Sequence, residues 1–188
     1  MRPETLSSRI STERLVLEPV RSDFAQSLFD YINDWEVMRW LASPPWPFAL
    51  ADMHQWIARS CAARDARRDA DFAITLHGAP IGVIGLVGLG MGPVLGYWLA
   101  RPFWGRGYMS EAAETLLAQT FADGQSFVAS GVLEGNAASL RIQEKLGFRI
   151  VNERYIHARP HGRPMPHVDT VLGRGQWCEV RVSSPKSF

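Results

Sequence analysis

The sequence is poor in cysteine and has almost no net charge. Its 188 residues include two cysteines, Cys61 and Cys178, which lie far apart and form no motif. Two cysteines cannot build a disulfide framework, so we expect buried or inert thiols in a protein of the reducing cytoplasm. Twenty basic and nineteen acidic side chains leave a net charge of +1. This balance argues against a nucleic-acid partner, because nucleic acids bind basic surfaces.

The N-terminal segment and the longest uncharged run both lack the features of targeting or membrane segments. The first eight residues have no apolar core of the kind found in secretory signal peptides. Residues 78–100 carry no charged side chain, a length that suggests a membrane span. The run also holds seven glycines and two prolines, which cost a helix about 1 and about 3 kcal/mol each. Two buried strands joined by a glycine-rich turn fit it better, so we expect no membrane partner.

The order of periodic patterns predicts one domain with alternating strands and helices. A chain of this length can bury a single core. Strands are expected at residues 14–19, 71–77, 81–87, 94–99, 126–133, 148–158 and 167–172. Helices are expected at residues 22–32, 34–41, 50–68, 108–122 and 137–146. We therefore predict an α/β (α+β) fold in a single domain of residues 1–188, with a mixed central sheet of about six or seven strands flanked by helices.

The segment from Trp98 to Glu111 carries the clearest functional pattern. An apolar strand ends near Arg101, two glycines flank Arg106, and a helical pattern begins at Tyr108. A strand, a glycine turn and a helix start together expose backbone N–H groups to a phosphate, and the helix N-terminus adds a partial positive charge. A dinucleotide fingerprint fits poorly because its third glycine and its ribose-binding acid are missing, and the chain has no Gly-Lys-Ser/Thr of a P-loop. We expect a phosphate-bearing ligand of another kind.

A second motif follows the next predicted strand and narrows the interpretation. It comprises Glu134-Gly-Asn-Ala-Ala-Ser139 and then Glu144-Lys-Leu-Gly-Phe148. Together with Gly96-Tyr-Trp-Leu and Trp104-Gly-Arg-Gly-Tyr-x-x-Glu111, it resembles the GNAT superfamily of acyl-CoA-dependent N-acyltransferases.

Within that superfamily, the chain looks most like the ribosomal-protein alanine N-acetyltransferases, the RimJ/RimL-like group. Its opening Thr12-Glu-Arg-Leu-Val-Leu is similar to the start of that group. Its closing Pro166-His-Val-Asp-Thr-Val-Leu, with Trp177 beyond it, is similar to the end. The resemblance therefore covers a core of about residues 10–177 and implies a single N-acetyltransferase domain.

The resemblance implies acetyl-CoA as the donor substrate and assigns residues to it. It implies backbone contacts from Trp98 and Leu99 to the pantetheine arm. It places the N–H groups of a longer segment around the pyrophosphate, namely Gly105, Arg106, Gly107, Tyr108 and Ser110. It also implies polar contacts from Asn136 and Ser139 near the thioester. One position departs from the superfamily, because Pro102 stands where a glutamine or arginine precedes the glycine turn. A proline there cannot donate a backbone hydrogen bond.

The activity that follows is direct transfer of an acetyl group to a primary amine, either a protein N-terminus or a small molecule. The amine must lose a proton, the developing oxyanion needs a donor, and the leaving thiolate benefits from a proton. We assign the oxyanion donor to the Leu99 N–H and the proton donor to Ser139. For the base we name Glu36, in an aromatic-rich stretch that suits a cationic amine. The alternatives are Asp34, Glu153, Tyr155, His157, His167 and Asp169.

Several readings stay open at this point. Asp34 can be a helix cap, and the tryptophans near it can be core residues. A non-catalytic acetyl-CoA-binding module and a nucleotide-binding domain are the competing functions. We expect no metal site, because glycine and proline separate the three histidines of the closing hairpin and no cysteine or carboxylate completes a set. The acceptor is not identified, and both a monomer and a homodimer are compatible with the sequence.

Overall fold

The computed structural model describes residues 9–183, with side chains described as far as Glu179. The N-terminal segment that we expect to lack a signal peptide lies outside the described residues. The eight strands are β1 Ile10–Ser11, β2 Val16–Pro19, β3 Asp69–Leu76, β4 Ala79–Val87, β5 Val94–Leu99, β6 Phe127–Leu133, β7 Arg149–Ala158 and β8 Arg163–Gly173. The six α-helices are α1 Ala25–Ile32, α2 Trp35–Met38, α3 Leu50–Asp65, α4 Tyr108–Ala122, α5 Ala137–Leu146 and α6 Arg174–Ser183.

All eight strands form one open sheet in the order β1-β2-β3-β4-β5-β6-β8-β7. Neighbouring strands run antiparallel except β5 and β6, which are parallel. The predicted α/β class with a mixed sheet is confirmed, and the sheet is one strand larger than expected. The additional strand is β1, whose two residues are too few to show a periodic pattern. Helix α6, which follows β8 directly, was not predicted.

Local signals in the sequence explain where the elements near the centre begin and end. The Asn136 side chain accepts a hydrogen bond from the Ser139 N–H at 3.1 Å, which caps α5. Gly147 ends that helix with a φ of +95°, a conformation that glycine adopts without strain. Asp34 caps α2 by accepting from the Glu36 N–H at 2.9 Å, but the helix ends at Met38, earlier than predicted.

The core lies on both faces of the sheet. On one face, residues such as Phe72 and Ile84 pack against α4, α5 and α6. On the other face, residues such as Val83 pack against α1 and α3. Strand β4 is buried from Pro80 to Leu86, as expected for a strand covered on both sides. Over residues 9–183, no helix is long and apolar enough to cross a membrane.

Candidate active site

The sheet opens between its two parallel strands, β5 and β6. Their register holds at the single pair Val94 and Ala129, and the Ser130 hydroxyl donates to the Leu95 carbonyl at 2.9 Å. Beyond these contacts the strands separate, and a cavity of about 940 Å³ lies at the opening. Helices α4 and α5 line one side of this cavity, and α2 and α3 line the other. Two molecules can therefore approach the opening, which we call the gap, from opposite faces of the sheet.

The backbone of β5 presents alternate residues to the gap. The Ala100 N–H donates to a carbonyl of β4 at 2.9 Å. Because bonded positions alternate along an antiparallel pair, Trp98 also turns its backbone groups to β4, where a Cβ at Gly82 would collide with its carbonyl oxygen. The backbone groups of Tyr97 and Leu99 therefore face the gap. The predicted backbone contact of Trp98 does not match this register, and the residue lines the cavity with its side chain instead.

Leu99 sits at the end of β5 with its two backbone groups in different states. Its carbonyl accepts a hydrogen bond of 2.6 Å from the Trp104 indole N–H. Its N–H points away from β4 in this register and lies beyond the single β5–β6 pair, and no other acceptor among the described residues takes it. The indole thus holds the strand end in place while leaving the N–H free, as the predicted oxyanion donor requires.

The loop after β5 exposes a run of backbone donors. Gly105 and Gly107 have φ values of +74° and +79°, and Gly107 is the N-cap residue of α4. The first helical hydrogen bond runs from the Glu111 N–H to the Gly107 carbonyl at 3.0 Å. No backbone or side-chain acceptor in the described part of the chain takes the N–H groups of residues 105–110. Six consecutive free donors at a helix N-terminus form a typical anion-binding site.

A carboxylate in the first turn of α4 anchors this loop to the start of the sheet. Glu111 accepts hydrogen bonds from the Thr12 hydroxyl and, at 2.7 Å each, from the N–H and the guanidinium of Arg14. Arg14 also donates to the Arg106 carbonyl at 3.1 Å. Burial disfavours the charged form of Glu111, but these hydrogen bonds outweigh it and lower its pKa. Both segments are recognisable in the sequence, but the contact between them is not predictable from it.

On the other side of the gap, α5 contributes a hydroxyl pair. The Tyr97 hydroxyl lies 2.9 Å from the Ser139 Oγ and also donates to the Ser139 carbonyl at 3.3 Å. Burial raises the pKa of Tyr97, so the phenol stays protonated. Tyr97, Ser139 and Asn136 all line the cavity. Tyr97 belongs to a motif quoted above, yet the sequence analysis assigned it no role.

A buried network of side-chain hydrogen bonds holds α5, which carries Ser139, against the sheet. Thr170 donates to the Gln143 side chain at 2.7 Å, and Gln143 donates to the Ser130 hydroxyl at 3.0 Å. Ser130 in turn donates to the Leu95 carbonyl. The network joins β8, α5, β6 and β5, and every side chain in it has a hydrogen-bond partner. Such a network fixes α5 against the edge of the gap.

The structure places eight of the ten predicted site residues around one cavity. Those lining it are Trp98, Leu99, Gly105, Gly107, Tyr108, Ser110, Asn136 and Ser139. Arg106 and Glu36 do not line it. The Glu36 carboxylate pairs with Arg39 at 3.3 Å, and both side chains are well exposed. Of the tryptophans near Glu36, Trp40 and Trp56 line the cavity.

Two cavity-lining residues on the face of α2 and α3, Asp71 and His167, have shifted pKa values. Asp71 accepts from the Ser60 hydroxyl at 2.6 Å, and burial raises its pKa. Asp71 was predicted only as an ordinary strand residue, although an acidic residue inside an apolar strand is a usable signal of a functional role. His167 is 14% exposed in its side chain, and burial lowers its pKa against the opposing effect of Asp169. The imidazole is therefore neutral near pH 7.

The histidines of the closing hairpin do not gather around a common point. His161 lies at hydrogen-bonding distance, 2.8 Å, from the Arg39 carbonyl, whereas His167 faces the cavity. Within residues 9–183, no three His, Cys, Asp or Glu side chains are grouped as metal ligands.

One family model matches the larger part of the chain. The profile of a family described as the acetyltransferase (GNAT) domain matches residues 14–149. An uncharacterized protein of Bacillus subtilis, YkkB, is 41% identical over 55 residues. That stretch covers 29% of this chain and 32% of YkkB, so the match spans about a third of that relative.

Solved structures share the fold over most of the chain. One is Mycobacterium smegmatis RimJ in complex with CoA-disulfide, with a TM-score of 0.78 and 18% identity over 90% of this chain and 88% of that one. Another is the ribosomal-protein-S5-alanine acetyltransferase of Vibrio fischeri, with a TM-score of 0.77 and 17% identity over 90% of this chain and 98% of that one. At these identities the likeness establishes the fold.

Proposed function

The chain belongs to the GNAT family of acetyltransferases, and from that premise we propose that it moves an acetyl group from acetyl-CoA directly to a primary amine. The observation that carries this proposal is the gap between β5 and β6, with free backbone donors on one side and a hydroxyl pair on the other. A thioester that enters the gap meets both sets at once. The bound CoA-disulfide of the similar RimJ structure supports a coenzyme A ligand.

The residues present fit acetyl-CoA as a substrate. We assign the pyrophosphate to the free N–H groups of residues 105–110, because a helix N-terminus with glycine turns favours phosphate. The pantetheine arm, which carries amide groups, would pair with the gap-facing backbone of Tyr97 and Leu99 as a strand pairs with its neighbour. Arg141 and Lys145 of α5 line the same side and add positive charge. Arg106 is exposed and would contribute its backbone N–H to the loop.

The gap supplies two of the three catalytic needs. The free Leu99 N–H would donate to the thioester carbonyl oxygen as negative charge develops on it. The Ser139 hydroxyl would give its proton to the departing sulfur, because it lies at the N-terminal turn of α5 and lines the cavity. The protonated phenol of Tyr97, 2.9 Å away, would hold that hydroxyl in place.

The acceptor would approach from the face lined by α2 and α3. Aromatic side chains on this wall, Trp40 and Trp56 among them, suit a cationic amine. The similar Vibrio fischeri enzyme is a ribosomal-protein-S5-alanine acetyltransferase, which supports an alanine amine of a protein as one acceptor. We keep small-molecule amines as the other class. We further propose a cytoplasmic enzyme, monomeric or homodimeric, that acts without a metal or nucleic acid.

A single assay tests the proposal. The chain is incubated with acetyl-CoA and a panel of acceptors, namely short peptides with N-terminal alanine or serine and small primary amines. Free thiol is followed over time, products are weighed by mass spectrometry, and acetyl-CoA binding is measured separately by calorimetry. Thiol release matched by an acetylated amine supports the proposal. Tight acetyl-CoA binding with no turnover on any amine would overturn it in favour of a non-catalytic binding module, and absence of binding would overturn it entirely.

A further inference from the structure

The acceptor side of the gap holds an imidazole that the chemistry above does not use. His167 lies on β8, paired in register with Leu133 on β6. Its ring leans over Gly131, where a Cβ would collide with Cε1 and lie 2.7 Å from Nε2. Gly131 therefore leaves the space that the ring occupies. Because β6 is one of the two strands that border the gap, the Cε1–Nε2 edge of His167 lies at the border of the gap.

The two ring nitrogens of His167 differ in their surroundings. Nδ1 is buried and lies 3.0 Å from the Asp169 carboxylate, although it makes no well-directed hydrogen bond. Asp169 is itself held by the Arg154 guanidinium at 2.6 Å and by the Asn152 amide at 3.2 Å. Nε2 has no hydrogen-bond partner among the described residues, and His167 lines the cavity. A carboxylate at Nδ1 favours the tautomer with its proton there, which leaves the Nε2 lone pair free.

We infer that His167 is the base that takes a proton from the acceptor amine, with Asp169 as its positioning residue. The inference rests on the proposed function. Of the three protons on the acceptor ammonium, one stays on the new amide nitrogen, one passes to Nε2, and one replaces the Ser139 proton that leaves with the sulfur. The nitrogen lone pair forms the bond to the carbonyl carbon as the carbon–sulfur bond breaks. The imidazolium then returns its proton to water.

Two carboxylates, those of Glu36 and Asp71, fit the role of the base less well than His167. Glu36 lies outside the cavity and is paired with Arg39. Asp71 leans over Gly85 of β4, which is separated from the gap by β5, and its carboxylate is occupied by Ser60. Of these three side chains, only the imidazole reaches a strand that borders the gap. Its low pKa keeps it neutral and able to accept a proton near pH 7.

The charges around the imidazole are few. Asp169 lies on its own strand and Arg154 on β7, and their opposite effects on its pKa partly cancel. Strand β6 contributes no charge, since Gly131 and Leu133 face the ring. The charged residues on the remaining acceptor-side walls are Asp52, Arg59, Asp71 and Arg159.

The test compares His167→Gln with His54→Gln, a matched change at an exposed histidine of α3 that does not line the cavity. Two acceptors are used, a peptide α-amine with a pKa of about 8 and an alkyl amine with a pKa of about 10. We expect His167→Gln to lower kcat/KM for the alkyl amine about 100-fold near neutral pH. The loss should be smaller for the peptide and should shrink as pH approaches each amine's pKa. The affinity for acetyl-CoA should stay unchanged.

Three outcomes contradict the inference. One is an undiminished rate in His167→Gln, and another is an equal loss for both amines at every pH, which a merely structural role would produce. The third is a protonated His167 near neutral pH, measured by nitrogen NMR. This measurement uses the protein without substitutions, so it holds even where the variant fails to fold. If the unchanged chain acetylates no amine, the proposed function fails and this inference falls with it. If the unchanged chain acetylates an amine and His167→Gln does so at the same rate, only the inference about His167 fails.

Discussion

The two sides of the gap are built in different ways. The donor half, residues 97–110 with 136–139, presents mainly backbone groups: the free N–H groups of the glycine loop and the gap-facing groups of β5. The acceptor half, formed by the cavity-lining residues of α2, α3, β3 and β8, presents side chains such as Trp56, Asp71 and His167. The donor half comes from two short stretches of the chain. The acceptor half comes from elements far apart in it.

This contrast indicates that the side chains of the acceptor half can vary, whereas the glycine conformations of the donor half cannot. Backbone donors tolerate almost any side chain but need the glycine conformations that aim them. Side chains from separate elements can change one at a time without disturbing the loop. A fold that keeps one donor can therefore accept different amines by changing the acceptor half alone. Substitutions in the donor half should reduce cofactor affinity or turnover for every acceptor.

The largest expected effect comes from Gly107→Val. Gly107 has a φ of +79°, and a Cβ there would lie 3.4 Å from the Arg14 guanidinium. A branched side chain pays about 1–2 kcal/mol to adopt this conformation and also obstructs the free N–H groups next to it. We expect the Kd for coenzyme A to rise about 100-fold, an increase of about 2.7 kcal/mol in binding free energy. Calorimetric titration measures it.

Gly124→Val is the matched control for that substitution. Gly124 also has a positive φ, +103°, but it lies in the turn after α4 with no atom near its Cβ position. The control pays the same kind of backbone strain away from the cavity. It should unfold more easily and bind coenzyme A normally. Unchanged affinity in Gly107→Val would remove the pyrophosphate from this loop.

A smaller effect is expected from Ser139→Ala, which separates turnover from binding. The helix cap survives this change, because Asn136 accepts from the backbone N–H of residue 139. The Tyr97 hydroxyl remains close by and can partly replace the lost donor. We therefore expect kcat to fall about 30-fold, below the usual range for removal of a general acid, with the Kd for acetyl-CoA almost unchanged. Steady-state kinetics and calorimetry give the two values.

The double variant Ser139→Ala with Tyr97→Phe sharpens this result. If Tyr97 compensates for the missing hydroxyl, the double variant should lose more activity than the product of the two single losses. Rates equal to those of the unchanged chain in Ser139→Ala would exclude Ser139 as the proton donor.

Local signals made the donor half predictable in part. Glycine and Asn136 mark where helices begin and end, so the bounds of β5, α4 and α5 match the predicted ones. The backbone direction of Trp98 was not predictable, because it depends on the register between β4 and β5. A strand pattern alone gives two equally good choices of direction.

The acceptor half was much harder to predict because it forms only through tertiary packing. Glu36 was named from its aromatic neighbourhood, but the packing of α2 turns it toward Arg39 and away from the cavity. His167 was one of several candidates on the closing hairpin. What distinguishes it is Gly131, 36 residues earlier and adjacent only through the β6–β8 register. The catalytic roles of both residues remain predictions.

The smallest expected effect tests whether the donor half depends on a contact from outside it. Glu111→Gln removes the charge that joins α4 to Thr12 and Arg14 but leaves one acceptor oxygen. Loss of hydrogen bonds to a charged group should lower the free energy of unfolding by about 1–2 kcal/mol near neutral pH. The Kd for coenzyme A should rise only a few-fold, because the glycine conformations remain.

The pH dependence of this difference gives a further check. The folded-state pKa of Glu111 is lowered below its ordinary value of 4.5, so its ionised form stabilises the fold above that pH and the contribution is lost as pH falls through the folded-state pKa. Urea unfolding of both proteins should therefore show a difference in stability near neutral pH that narrows as pH falls below 4.5. A stability difference that stays constant over this range would show that the Glu111 charge does not hold the loop. The donor half would then owe its conformation to its glycines alone.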